Sequence, residues 1–192
     1  MSGRSGMFGD WKAWEEVLSA RGFTQRLDAE VDRANQRIGL DAVAAIRRSI
    51  RSGDYEPNSA LTVAIKGSSK PLVDTGDLNR RITHDVEKGR RAVWVGLKRN
   101  EGKTSIAEKL HDGFVIDLEA HPEIRQAVFA KLRERGRMFR PGNQLASGSK
   151  RWVVPPRPFI TGPLSGPAMQ AQIRQHYHEA FGRALRNARG AA

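Results

Sequence analysis

Apolar positions recur at helical spacing over the longest patterned stretch of the chain. Phe23, Leu27, Val31, Ala34, Ile38, Ala42, Ala45, Ile46 and Ile50 form one stripe, and arginine and aspartate fill the opposite face. That pattern predicts a long amphipathic helix over Thr24–Ser52. Gly39 sits inside the stripe, where glycine costs about 1 kcal/mol relative to alanine, and is expected to bend the helix. Ser52, Gly53 and Asp54 end it. Upstream, Asp10 is placed to cap a short helix carrying Trp11, Trp14, Val17 and Leu18, with Gly22 closing it. The Gly/Ser-rich residues before Asp10 are expected to be mobile.

After the long stripe the period changes. Pro57, Gly67, Pro71 and Gly76 punctuate residues 54–76, which leaves room for a short strand or a helical turn at Leu61–Ile65. Asp74, Thr75, Gly76 and Asp77 open a short helix through Ile82. Ile82–Glu87 and Arg91–Leu97 read as two strands joined by a turn at Lys88, Gly89 and Arg90, with Val93 and Val95 on one face and Trp94 on the other. Thr104 or Ser105 caps a helix with Ile106, Ala107 and Leu110 inward. Gly113 ends it, and Phe114–Leu118 reads as another strand. Pro122–Arg137 is a charged helix with Ile124, Val128 and Leu132 on one face. Residues 138–150 are polar and glycine-rich, and are expected to be flexible in the free chain. Pro155, Pro156 and Pro158 force Trp152–Ile160 into an extended connector. Gly162, Pro163, Gly166 and Pro167 prolong the irregular stretch. A last amphipathic helix over Ala168–Asn187 carries Met169, Ile173, Tyr177, Ala180, Phe181 and Leu185.

The predicted fold class is α+β: a long N-terminal helix, a small antiparallel sheet, a C-terminal helix, and an inserted helix/loop appendage. The predicted layout is an N-terminal extension over residues 1–22, a single domain over 23–187 with an insertion at about 119–150, and a tail over 188–192. Composition adds charge to this picture. The 192 residues are 39% hydrophobic and 28% charged, with 33 Lys+Arg against 21 Asp+Glu, a net charge of +12 and a pI near 10.8. The basic residues are mostly arginine, which pairs in a fork with carboxylates as well as phosphates, so the charge fits acidic protein partners as well as nucleic acid. The chain has no cysteine. That excludes disulfides, thiol catalysis and Cys-ligated zinc. No stretch approaches the roughly 18–20 apolar residues of a membrane span, and the first ten residues carry no apolar core of signal-peptide length.

Two segments mimic catalytic motifs. Leu72, Val73, Asp74, Thr75 and Gly76 match the apolar-apolar-Asp-Thr-Gly loop of aspartic proteases, in which two carboxylates share a proton. That chemistry needs a nearly all-β dimer, whereas this loop follows a helical stripe and leads into Asn79, Arg80 and Arg81. A turn with Asp74 or Thr75 capping the next helix accounts for it. The run from Gly96 through Gly102, Lys103 and Thr104 lies between a strand and a helix like a phosphate-binding loop, but its spacing is one residue too long to ring phosphates. His84, His111, His121, His176 and His178 show no metal-ligand spacing. His176 and His178 are two apart on a helix and face different ways. Neither a catalytic site, a cofactor nor a metal is expected. Arg133, Arg135, Arg137 and Arg140, next to Lys131, form a basic cluster that could contact DNA or an acidic partner, and Arg174, Arg183, Arg186 and Arg189 form a second.

Three ordered segments resemble one family. Lys70–Ile82 is similar to the "P-L-x-D/R-T-G-x-L-x-x-S-I" segment of the phage virion-morphogenesis and tail-completion (head–tail joining, neck) proteins. Ile106–Gly113 resembles their "A-x-x-h-x-x-G" stretch. Pro156, Arg157, Pro158, Phe159 and Ile160 look like their "P-x-R-P-F-L" signature before a last helix. The set spans residues of about 24–187. Arg81 stands where the family commonly has Ser, and residues 119–150 look like an insertion. The resemblance implies a structural, non-enzymatic subunit of a sixfold homo-oligomeric ring in the virion neck or tail. Such a subunit would be assembled in the host cytoplasm, beside other neck, connector or tail-tube proteins, with genomic DNA passing through its channel and no membrane involved. The residues it points to as a subunit or partner interface are Asp74, Thr75, Gly76, Arg157, Pro158 and Phe159. Phe159 is expected to anchor the connector on the core, and Arg157, two residues earlier and so on the same side, to reach a carboxylate of its own or the next subunit. A DNA-binding protein using the arginine clusters, and a retroviral-type aspartic protease using Asp74, are the rival readings.

Overall fold

The computed structural model describes residues 21–73, 76–97, 104–134 and 151–189. The short helix expected from Asp10, the residues 138–150 expected to be flexible, and most of the phosphate-loop mimic lie outside them. The described chain is α+β, with a long first helix, two small two-stranded sheets and a long last helix. Among the described residues no helix is long and apolar enough to cross a membrane.

Helix α1 runs unbroken over Arg21–Ser52. It starts earlier than the stripe suggests, so Gly22 lies in its first turn instead of closing a preceding helix. Gly39 serves a close approach: a Cβ there would overlap the His84 ring. The punctuated segment holds α2, Ala60–Lys66, capped by the Ser59 hydroxyl on the Thr62 amide and closed by left-handed Gly67. Next come α3 (Asp77–Arg81), β1 (Ile82–Glu87) and β2 (Ala92–Leu97). The β1–β2 turn uses Gly89 and Arg91 at positive φ. Helix α4 spans Thr104–Asp112, β3 Phe114–Asp117, α5 Pro122–Glu134 and β4 Arg151–Val154. Strands β3 and β4 pair antiparallel, with Phe114 opposite Val154 and Ile116 opposite Trp152. The stretch expected to stay irregular instead holds α6, Thr161–Ser165, and the start of α7, Pro167–Arg189. Pro163 falls in the first turn of α6 and Pro167 at the first position of α7, where the missing N–H leaves no helical bond unmade.

The chain folds as two compact units. One takes α1 up to Asp41, hairpin residues His84–Val95, and α7. There Phe23 packs with Ala184 and Ala188, flanked by Leu27 and Leu185. A polar seam joins the two helices: Arg183 Nε donates to Glu30 Oε2 (2.8 Å), Tyr177 Oη to Asn35 Oδ1 (2.7 Å), and His176 Nε2 lies 2.8 Å from Asp41 Oδ2. Phe181, expected in the apolar stripe, is 46% exposed and meets Phe23 edge-on.

The other unit takes residues 42–83 and 96–166. Its core includes a cluster of Leu61, Ala64, Leu118, Val128 and Leu132, with Ile116 and Trp152 against it. The α5 helix of the predicted insertion is therefore built into the core through Val128 and Leu132. Trp152 satisfies its indole N–H on Thr62 Oγ1 (3.0 Å).

Candidate functional site

The connector between β4 and α6 organises the second unit. An extended chain turns alternate residues to opposite sides. Here that buries Arg157 and Phe159, 2% and 0% exposed, and leaves Pro156 and Pro158 outside. The three prolines have no N–H to donate, so the connector depends on the groups that remain. The Arg157 amide donates to His111 O (2.9 Å). Gly113, at φ +76°, lets the end of α4 lie against the connector: a Cβ there would sit 2.6 Å from Pro156 N. The His111 ring meets Phe159 edge-on at 5.6 Å, with Nδ1 2.8 Å from Asp112 Oδ1 and Nε2 3.2 Å from Thr161 Oγ1.

Arg157 determines what this arrangement does. Its Nε and Nη2 donate to Glu56 O (3.2 and 3.1 Å), and Nη2 also reaches Pro57 O (3.4 Å). Burial pulls the guanidinium pKa down from its ordinary value, partly offset by the Glu56 charge; arginine nonetheless stays charged in a protein. The expected carboxylate partner is thus corrected: Arg157 hydrogen-bonds main-chain carbonyls, because the loop after α1 brings Glu56 and Pro57 to it. One residue on, the buried Asn58 donates through Nδ2 to Ser68 O (3.3 Å) and Lys70 O (3.1 Å). Pro71 and Leu72 follow, both buried, with Leu72 at φ +57° in a tight turn closed by Val73 N–H on Pro71 O (2.7 Å). The Glu56–Asn58 loop therefore holds the Pro-rich connector on one side and the start of the Lys70–Ile82 segment on the other.

Of the other residues singled out in the sequence, Gly76 is left-handed (φ +77°) and precedes α3 with no side-chain cap. Asp74 and Thr75 lie outside the described residues, as do Arg135, Arg137 and Arg140. Arg133 is exposed at the end of α5. Among the described residues no group of three or more His, Asp or Glu side chains is placed to hold a metal ion. The Arg157 and Asn58 side chains bond main-chain carbonyls of distant segments, and the His111 ring ties α4 to Phe159 and Thr161. Sequence reasoning missed Glu56, Pro57, Asn58 and the carbonyl of His111. Only Gly113 before a strand carried a readable sign of close approach. No family model, no curated protein and no solved structure matches the chain.

Proposed function

We propose that this chain is a structural subunit of the neck or tail end of a long-tailed bacteriophage, closing a homo-oligomeric ring that completes the tail or joins it to the head. The carrying observation is that two resembling segments, Ile106–Gly113 and Pro156–Ile160, lie against each other through the Arg157 amide, Gly113 and the His111–Phe159 contact. The third is tied to the same loop through Asn58. Segments far apart in the chain with one mechanical role are the property of a scaffold. Arg157 and Phe159 act from inside the subunit, and Pro158 is left on the surface to meet a neighbour. Partners on this reading are further copies of the chain, adjacent neck, connector or tail-tube proteins, and genomic DNA in the channel. Electron microscopy of the purified protein and of virions tests it: a closed ring with an open channel is expected. A chain that is strictly monomeric and absent from virions rules the reading out.

A further inference from the structure

Beside the connector lies an open groove of about 670 Å³, lined by Tyr55, Pro156, Pro158 and Pro163 among others. Its apolar wall is rigid before anything binds. Turning Arg157 inward leaves Pro156 and Pro158 outward as a ridge, and proline φ is already fixed, so little freedom is lost on contact. The Tyr55 hydroxyl is hydrogen-bonded to the Ser49 hydroxyl (2.6 Å), which pins that ring too. Asp54 and Glu56 flank Tyr55 in sequence, line the groove and are exposed; Arg48 lines it as well. Neither carboxylate makes an ion pair within the chain among the described residues.

A tyrosine between two exposed carboxylates, of which Glu56 acts on the buried Arg157 only through its charge, has, against a proline wall, the chemistry that selects a guanidinium. The carboxylates take charge-assisted hydrogen bonds, the ring takes the planar cation on its face, and arginine gives up its hydration more readily than lysine. We propose that this groove receives an arginine side chain from a second copy of the chain. The argument for a copy is charge complementarity. The chain is +12 overall, mostly through arginine, while the groove sets two carboxylates against one arginine. A copy therefore offers an excess of the group the groove selects, whereas a nucleic-acid phosphate would meet repulsion from Asp54 and Glu56. This deepens the ring reading and rests on it, naming the groove as one half of the contact between subunits.

The test uses the full chain. Asp54→Lys/Glu56→Lys reverses the groove's charge at two exposed positions. Native mass spectrometry and sedimentation should then show closed assembly weakened at least tenfold, with helical circular dichroism unchanged. Because the chain lacks cysteine, Ser52→Cys gives a single attachment point at the groove for a maleimide–benzophenone cross-linker. Irradiated in a mixture with 15N-labelled chain, it should join to an arginine-bearing peptide of the other copy. If the double variant loses helicity, the cross-link decides. Cross-links confined to one copy, or a folded double variant that assembles like the parent, overturn the groove and leave the ring reading standing. A parent chain with no closed assembly in solution or in virions overturns both.

Discussion

A guanidinium that is 2% exposed and bonded only to carbonyl oxygens places Arg157 among the costliest groups in the chain to leave unmatched. Removing it strips donors from Glu56 O and Pro57 O and opens a hole beside the connector. Arg157→Ala should cost about 2–4 kcal/mol in urea unfolding at neutral pH. Arg157→Lys should recover only part, since a point charge cannot span two carbonyls as a fork does. Phe159→Ala should cost about 3–5 kcal/mol, because a wholly buried ring leaves a cavity. Losses under 1 kcal/mol at both positions would mean that the connector is held elsewhere. Gly39→Ala is expected to destabilise, although alanine is the better helix former by about 1 kcal/mol, because its Cβ overlaps the His84 ring. A double-mutant cycle checks the cause: Gly39→Ala should cost less in a His84→Ala background than in the parent. The inward pairing of Arg157 and Phe159 was legible, since alternation in an extended chain requires it. The partner of Arg157 was not, because every residue carries a carbonyl and none advertises its position. For the same reason Gly39 reads as a bend until the ring against it is seen.

At the scale of elements, the apolar stripe of α1 was readable because its spacing survives thirty residues of charged neighbours. The seam it makes with α7 was not, since Glu30 and Asn35 look like solvated helix positions until Arg183 and Tyr177 arrive from the other end of the chain. Helix α6 was missed for a local reason: Gly162 and Pro163 signal a break in a helix interior but are harmless in a first turn. The seam makes a pH prediction. The Arg183 hydrogen bond, aided by the Arg33 charge and opposed by burial, holds the Glu30 carboxyl below its usual 4.5. A carboxylate with a folded pKa below its unfolded one adds stability above the unfolded value and loses it as pH falls through the folded value. Glu30→Gln should therefore destabilise by about 1–3 kcal/mol at pH 7. The gap to the parent should close as the pH falls below about 4. Urea unfolding at a series of pH values measures it, and a gap that stays constant with pH would remove the charge on Glu30 from the account.

For the whole molecule, net charge separates a ring of copies from a DNA-binding protein by the sign of the salt response. Copies at +12 repel one another. At about 0.15 M ionic strength the screening length falls to about 8 Å, which weakens the repulsion between copies, while an arginine–carboxylate contact enclosed between two copies is screened less. Closed assembly should therefore increase from about 50 to 200 mM salt. DNA binding runs the other way, because each neutralised phosphate releases a counterion. A protein making six to ten phosphate contacts loses roughly 10³–10⁵-fold in affinity over that range. Sedimentation of the chain alone and with duplex DNA, at both salt concentrations, sets the two responses side by side. The ring reading requires the closed species to grow with salt and any DNA-bound fraction to shrink. Tight DNA binding with a steep salt slope, and no closed species at either concentration, would transfer the protein to the DNA-binding class and give the exposed arginines, Arg133 among them, a phosphate backbone as partner.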